Sequence, residues 1–235
     1  MEFVKTAAEI AGIKVMEPVT VVTDLLVSAV CIYAFIKLKK TKSSSLTVKL
    51  FTYYFLTMAL ATLYGGLVGH GFLYLVTFTW KVPGWLISMI SVALIERAAI
   101  RHAQPLLKPF IGKFFAILNI VELMILTTVV LLTLNFFFVE AHAAYGLLVV
   151  VFSFEFYVYR KTKEEGSRLL LIAVFISALA ALVHLTQLTI SQWFNHLDFS
   201  HVLMAIAAYV YYRGAKRIHE DGIKLAQAPF QSRTQ

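Results

Sequence analysis

Apolar residues along the chain gather in seven runs of about 20 residues, each bounded by polar or charged residues. An α-helix of this length crosses the ~30 Å hydrocarbon core of a bilayer. The pattern therefore predicts an all-α membrane protein, a seven-transmembrane helix bundle. We expect the spans at residues 19–37, 50–72, 84–100, 114–134, 144–159, 169–190 and 199–212.

The Lys and Arg residues alternate between the segments that connect these spans. The segments after the first, third and fifth spans, and the C-terminal tail, hold nearly all of them, whereas the other segments hold only Lys81. Because basic loops stay in the cytoplasm, we expect the N-terminus outside and the C-terminus in the cytoplasm, in the plasma (inner) membrane. Residues 1–16 then form a short amphipathic segment, residues 17–214 the seven-helix domain, and residues 215–235 a polar cytoplasmic tail.

The composition agrees with a membrane protein. The 235 residues are 60% hydrophobic and 14% charged, whereas a soluble domain has about a quarter charged residues. The net charge of +8 falls mainly in the loops, where it contacts anionic headgroups, so we expect membrane lipid and no nucleic acid as a partner. The single cysteine, Cys31, excludes an intramolecular disulfide.

Ionisable residues inside the spans are the candidate functional groups, because each costs several kcal/mol in hydrocarbon unless it faces the protein interior or a partner. Most of them fall near the outer ends of the predicted helices. Glu17, Thr20 and Asp24 share one face of the first span. The same outer layer contains His70, His142, His184, His196, Asp198 and His201.

Imidazole and carboxylate groups of this kind are the ligands of catalytic zinc, which takes three protein ligands and one water. The metal makes hydroxide available from that water near neutral pH. We expect His70 and His201 to be two of the ligands and either Asp198 or His196 to be the third. His196, like His142, can equally be an interfacial residue at the end of a span.

The remaining groups of the outer layer suggest supporting roles. Asp24 or Glu17 is expected to be the catalytic carboxylate, which orients the water, moves its proton or fixes the tautomer of a histidine. We expect Thr20 and His184 to support the site through hydrogen bonds, and His184 is also explained as a buried structural partner. Asp24 is the strongest candidate for a functional residue among these, because an unpaired carboxylate two helical turns into a bilayer is costly.

Other charged residues are interpreted structurally. Glu96 and Glu155 lie near cytoplasmic ends of spans, where neighbouring arginines can neutralise them. His102 and His219 look like surface residues. Glu122 is expected in the cytoplasmic half of the fourth span, either as a proton-relay group or as a residue that stabilises the fold.

Three of the predicted spans resemble those of a known superfamily. The stretch HVLMAIAAYVYYRG, which begins at His201, looks like the seventh span of progestin and adipoQ receptors and of alkaline ceramidases. These are seven-span, zinc-dependent membrane hydrolases. The segment from Glu17 to Asp24 is similar to their acidic and hydroxyl pattern in the first span, and His70 stands where a zinc ligand is expected.

The sequence departs from that superfamily at several positions. Gly66 replaces a serine, no aspartate opens the third span, and Leu197 stands where a second histidine of the seventh span belongs. His196 is one residue too early, which leaves Asp198 as a substitute ligand. The resemblance implies a zinc cofactor and hydrolysis of a lipid amide or ester, with the lipid-like substrate held inside the bundle.

Two further function classes stay open from the sequence. A non-enzymatic receptor or lipid-binding protein can use the same cavity. A small proton-coupled transporter can relay protons through Asp24, His184 and Glu122. The sequence shows no inverted repeat, which makes a transporter the less attractive of the two.

Overall fold

The protein is described by a computed structural model that covers residues 6–227, with side chains described up to residue 222. Residues 1–5 of the expected N-terminal segment and residues 228–235 of the expected tail lie outside the described residues. Within the described residues, a hairpin of β1 (Ala7–Ile10) and β2 (Ile13–Met16) precedes seven helices. The helices are α1 (Pro18–Lys40), α2 (Leu46–Gly71), α3 (Phe78–Leu106), α4 (Pro109–Thr133), α5 (Phe137–Thr162), α6 (Glu165–Leu185) and α7 (His196–Gln227).

The first six helices are long and apolar enough to cross a membrane. Their outward surfaces carry large apolar side chains, such as Leu132, Phe110 and Leu185, which are 80%, 76% and 71% exposed. So much exposed apolar surface is unfavourable in water and favourable in lipid, so the chain is an all-α membrane bundle. Helix α7 has 32 residues but is more polar, because Asp198 and His201 occupy its first turns and basic residues follow from Arg213.

The helices α1, α2, α3, α5, α6 and α7 form a closed ring, in which each packs on the next and α7 returns to α1. Helix α4 lies outside the ring and packs on α3 and α5. The core inside the ring is apolar and includes the fully buried Phe51, Phe55, Ile95 and Leu170. This arrangement brings the start of α1, the end of α2 and the start of α7 to one end of the bundle.

Two of the helices contain a π-helical segment, in which each turn holds an extra residue. One covers Gly65–Gly71 at the end of α2, and the other covers Tyr145–Val151 inside α5. Such segments change which side chains face the interior and are frequent at functional sites. Both segments here contain a glycine that lies against an acidic side chain of a neighbouring helix.

The hairpin occupies most of the segment expected to be amphipathic. Its two-residue turn uses Ala11 and Gly12, whose φ angles of 52° and 77° are those of a type I′ turn. The Tyr74 hydroxyl donates to the Lys14 carbonyl at 2.7 Å, which fastens the hairpin to the segment after α2. Residues 7–16 therefore lie over the end of the bundle where α2 finishes.

One helix boundary differs from the sequence prediction in a way that matters for function. Helix α5 begins at Phe137, whereas its span was expected to begin at residue 144. The segment taken for a loop, NFFFVEAHAA, contains helix-compatible residues after Asn135, and its aromatic residues suit a lipid-facing surface. His142 therefore lies inside a helix and is fully buried, not interfacial.

Candidate functional site

The first cluster of polar residues lies where α1, α2 and α7 meet, and it contains Glu17, Thr20, Thr23, Asp24, His70, Asp198 and His201. At its centre, the Asp24 carboxylate lies between two imidazole rings. Its Oδ1 is 3.6 Å from His201 Nε2, and its Oδ2 is 4.0 Å from His70 Nε2. The ring centroids of His70 and His201 are 6.3 Å apart. Three groups that commonly bind metals thus converge from three helices.

The orientation of His70 is set by Glu17. His70 Nδ1 lies 3.2 Å from Glu17 Oε2, and Glu17 is only 4% exposed. An ionised carboxylate can only accept, so Nδ1 carries the hydrogen, and in the neutral ring Nε2 presents its lone pair toward Asp24. Glu17 itself has a left-handed backbone, with φ at 43°, and its N–H donates to the Thr6 carbonyl at 2.8 Å. The hairpin entry therefore holds a strained residue in place beside the histidine.

The orientation of His201 is set by Thr23. The Thr23 hydroxyl donates to the Thr20 carbonyl at 3.0 Å and lies 3.2 Å from His201 Nδ1. Because its one hydrogen is used, the hydroxyl accepts from Nδ1, and the lone pair of His201 Nε2 points to Asp24. A carboxylate and two imidazole lone pairs that face one another are stabilised by a positive charge between them, either a proton or a metal cation.

The ligand atoms around Asp24 are of the types that bind a small divalent cation, and they lie somewhat farther apart than in a loaded site. Zinc bonds to nitrogen and oxygen are about 2.0–2.2 Å long, so two ligands at a tetrahedral angle lie about 3.4 Å apart. The separations of 3.6 and 4.0 Å between Asp24 and the two histidines are slightly wider than this. Hydrogen bonds from the far nitrogen of each ring are the usual support of histidine ligands. The residue types therefore fit the metal implied by the sequence resemblance, although Asp24, His70 and His201 do not all bring a ligand atom within 4.8 Å of one another, so the helices would have to close slightly around it.

Gly66 allows α1 and α2 to approach each other at the first cluster. A Cβ atom at this position would lie 2.8 Å from the Cβ of Asp24 and 3.4 Å from the Val21 carbonyl oxygen. Any side chain here would push Asp24 away from the histidines. The π-helical segment that contains Gly66 also places His70 beside the same carboxylate.

Asp198 lies next to the histidines but has other partners. Its Oδ1 accepts from the Thr20 hydroxyl at 2.7 Å, and its Oδ2 accepts from the Asn195 backbone N–H at 2.7 Å. The side chain is fully buried and connects α1 to the first turn of α7. The structure thus places Asp24 between the imidazoles, where the sequence had suggested Asp198, and it places Thr20 on Asp198.

His196 and His184 form a separate pair away from His70. Their ring centroids are 5.5 Å apart, and His184 Nε2 lies 2.8 Å from Glu140 Oε1. His196 was expected as an alternative ligand beside His201, but the first turn of α7 directs it toward α6. Glu140 was not singled out from the sequence, because its segment was taken for a loop.

The second cluster lies between α3, α4 and α5 and contains Glu96, Asn119, Glu122 and His142. Glu122 Oε1 is 2.7 Å from His142 Nδ1, although the sequence had placed these residues in opposite halves of the membrane. The early start of α5 accounts for the difference. Glu96 accepts a hydrogen bond from the Asn119 amide at 3.0 Å. Its side-chain partner is therefore an asparagine of α4, whereas an arginine had been expected.

A third group lies at the opposite end of the bundle from the first cluster. His102 Nδ1 lies 3.1 Å from both oxygens of Glu155, and its Nε2 lies 3.2 Å from Glu164. His102 had looked like a surface residue, and an arginine had been expected beside Glu155. The histidine instead links α3 to α5 and to the segment before α6.

These observations define the class of the protein, an all-α membrane protein with histidine–carboxylate clusters between its helices. Residues 19–220 match the family described as "Family of unknown function (DUF6962)", and the chain belongs to this family. The match covers every residue of the first cluster except Glu17, and all of the second. The search among curated proteins and the search among solved structures found no match.

Proposed function

We propose that the protein is a zinc-dependent membrane hydrolase that cleaves a lipid amide or ester at the first cluster. The observation that carries this proposal is the direction of the two rings. His70 and His201 both present Nε2 to Asp24, while Glu17 and Thr23 hold their Nδ1 atoms. Two imidazoles and a carboxylate with one open position are a ligand set of hydrolytic zinc.

The proposal includes a seven-span topology in which α7 also crosses the membrane. Helix α7 packs along α1 and α6 as part of the ring, so it has the position of a span. The basic residues at the end of α1 favour a cytoplasmic location for that end. The first cluster then lies in the outer half of the bundle, with the N-terminus outside and the C-terminus inside the cell.

The residues divide into ligands and a proton acceptor. His70, His201 and Asp24 would hold the metal, which differs from the sequence assignment in that Asp24 replaces Asp198 or His196 as the third ligand. A bound zinc would polarise the scissile carbonyl and activate a water. Glu17 is the remaining carboxylate in contact with a ligand, and it would accept the proton and return it to the leaving group.

The surroundings of the cluster support a lipid substrate. Val22 on α1 is 63% exposed although it adjoins the buried Thr23, and Leu75 after α2 is 67% exposed. An acyl chain can therefore contact the protein next to the site from within the bilayer. His70 and His201 are partly exposed, with 20% and 14% of their side-chain surfaces accessible, so a polar headgroup can reach them. The choice of amide or ester follows from the sequence resemblance.

A hydrolysis assay on purified full-length protein in detergent tests this function. The substrates are fluorescent N-acyl sphingosine, as the amide, and a fluorescent diacylglycerol, as the ester. We expect turnover of at least one of them, loss of turnover on chelation, and recovery with zinc. Asp24→Asn should abolish the zinc-dependent turnover, because it removes a proposed ligand of the metal.

Glu140→Gln is the matched control, because Glu140 is an acid at the same end of the bundle that contacts His184 and none of the proposed ligands. The Glu140→Gln variant should hydrolyse the substrate at the rate of the unmodified protein. Tight lipid binding without turnover would contradict the enzyme and favour a receptor. Turnover that survives both chelation and Asp24→Asn would contradict the metal mechanism.

A further inference from the structure

We propose a second metal site, for a first-row divalent cation such as Mn²⁺, Fe²⁺ or Zn²⁺, formed by Glu96, Glu122 and His142. Each residue comes from a different helix, α3, α4 or α5. One potential ligand atom from each lies within 4.8 Å of those from the other two. None of the three residues belongs to the first cluster, so this site is independent of the proposed hydrolase site.

The tautomer of His142 directs a lone pair into the second cluster. His142 Nε2 lies 2.9 Å from the Met89 carbonyl oxygen, which can only accept, so Nε2 carries a hydrogen. Nδ1 is then the nitrogen that faces Glu122 Oε1 at 2.7 Å. This is the usual arrangement of a histidine ligand, in which the other ring nitrogen donates to a backbone carbonyl.

Both carboxylates keep an oxygen available for a ligand. Glu96 is fully buried, and its Oε1 has no hydrogen-bond partner among the described residues. The Glu122 side chain is 13% exposed, and its buried Oε2 atom also has no hydrogen-bond partner there. A buried acceptor without a donor is rare in folded proteins and calls for a specific explanation, such as an ion. A cation bound between these two carboxylate oxygens and the imidazole nitrogen would give all three groups a partner.

The surrounding residues hold Glu96 firmly in position. The Asn119 amide donates to Glu96 Oε2 at 3.0 Å, and Arg97 Nε donates to Asn119 Oδ1 at 3.0 Å. On the other side, any side chain at Gly146 would overlap Glu96 Oε1 and the Val92 side chain. Gly146 belongs to the π-helical segment of α5, so the helix is irregular where it passes the carboxylate.

The charge of the cluster favours a divalent cation. Two carboxylates bring two negative charges into the interior, and the neighbouring Arg97 reaches Glu96 only through Asn119. A divalent cation balances both charges and leaves the imidazole neutral. Mixed oxygen and nitrogen ligands suit manganese, iron and zinc, whereas calcium and magnesium prefer oxygen alone. A narrow crevice lined by Glu96, Asn119 and Tyr145 lies beside the cluster.

Metal binding to the full-length Asp24→Asn protein tests this site separately from the first one. The protein is stripped with a chelator and dialysed against Mn²⁺ or Zn²⁺, and its metal content is measured by mass spectrometry. We expect about one equivalent of metal. Adding Glu122→Gln or Glu96→Gln should weaken binding at least tenfold, whereas Glu140→Gln, a change of an acid on α5 outside the cluster, should leave it unchanged.

Two outcomes would overturn the proposal. The Asp24→Asn protein could bind no metal, in which case a proton shared by Glu122 and His142 accounts for their contact. It could bind metal that Glu122→Gln and Glu96→Gln do not affect, which would indicate an adventitious ion only. The cluster variants are compared with the Glu140→Gln control only after both elute as folded protein.

Discussion

His70 and His201 lie with their ring centroids 6.3 Å apart at the end of the bundle where α2 finishes and α7 begins. Each ring is fixed through its Nδ1 atom by a side chain of the α1 region, Glu17 for His70 and Thr23 for His201. Helix α1 therefore supplies both supports as well as the carboxylate of Asp24 between the rings. The position of α1 decides the geometry of the whole cluster.

Gly66→Ala should damage the first cluster, because its Cβ would lie 2.8 Å from the Cβ of Asp24. We expect a loss of about 1–3 kcal/mol in the free energy of unfolding, as for other overpacked sites, together with weaker metal binding. Gly65→Ala is a matched control in the adjacent position, where nothing lies within 4 Å of the new atom. Chemical unfolding of the two variants in detergent compares them directly, and equal stability would contradict the close contact.

The sequence predicts the helices themselves better than their exact starts and their irregular turns. The apolar runs identify most of the helices, because hydrocarbon requires long continuous stretches such as that of α1. The start of α5 is missed, because the acidic and histidine residues Glu140 and His142 in a span resemble a loop. The π-helical segments are also missed, since no simple periodicity predicts the extra residue per turn.

The membership of the first cluster is predicted better than the contacts within it. Asp24, His70 and His201 are all selected, because each is a polar residue inside an apolar helix. Which carboxylate faces the histidines depends on the rotation of α7 relative to α1, which the sequence does not determine. Asp24 therefore lies between the imidazoles, where Asp198 or His196 had been expected. Thr23 contacts His201, whereas Thr20 had been expected to support the site.

Thr20→Val should destabilise the protein, because Asp198 Oδ1 would lose the hydroxyl that donates to it at 2.7 Å. A buried acceptor without its partner costs about 1–3 kcal/mol. Thr52→Val is the control, since Thr52 is also buried but its hydroxyl only donates to the Val48 carbonyl of its own helix. Unfolding curves should show the larger loss for Thr20→Val. The reverse order would contradict a stabilising contact between α1 and α7.

Cysteine labelling of intact cells tests the proposed topology. The native Cys31 is fully buried, so the unmodified chain should stay unlabelled by a membrane-impermeant thiol reagent. Gln192→Cys, between α6 and α7, should react from outside, whereas Ser44→Cys, between α1 and α2, should react only after the cells are permeabilised. Both positions are exposed. Labelling of Ser44→Cys in intact cells would contradict an outside N-terminus.

The metal content of the first cluster is the most direct test of the whole account. Purified full-length Glu122→Gln protein, which lacks one residue of the second cluster, is stripped, reloaded with zinc and measured by mass spectrometry. We expect about one zinc per chain, and almost none when His201→Gln is added. A zinc content that His201→Gln does not change, or no zinc in either protein, would contradict a metal centre at His70, His201 and Asp24.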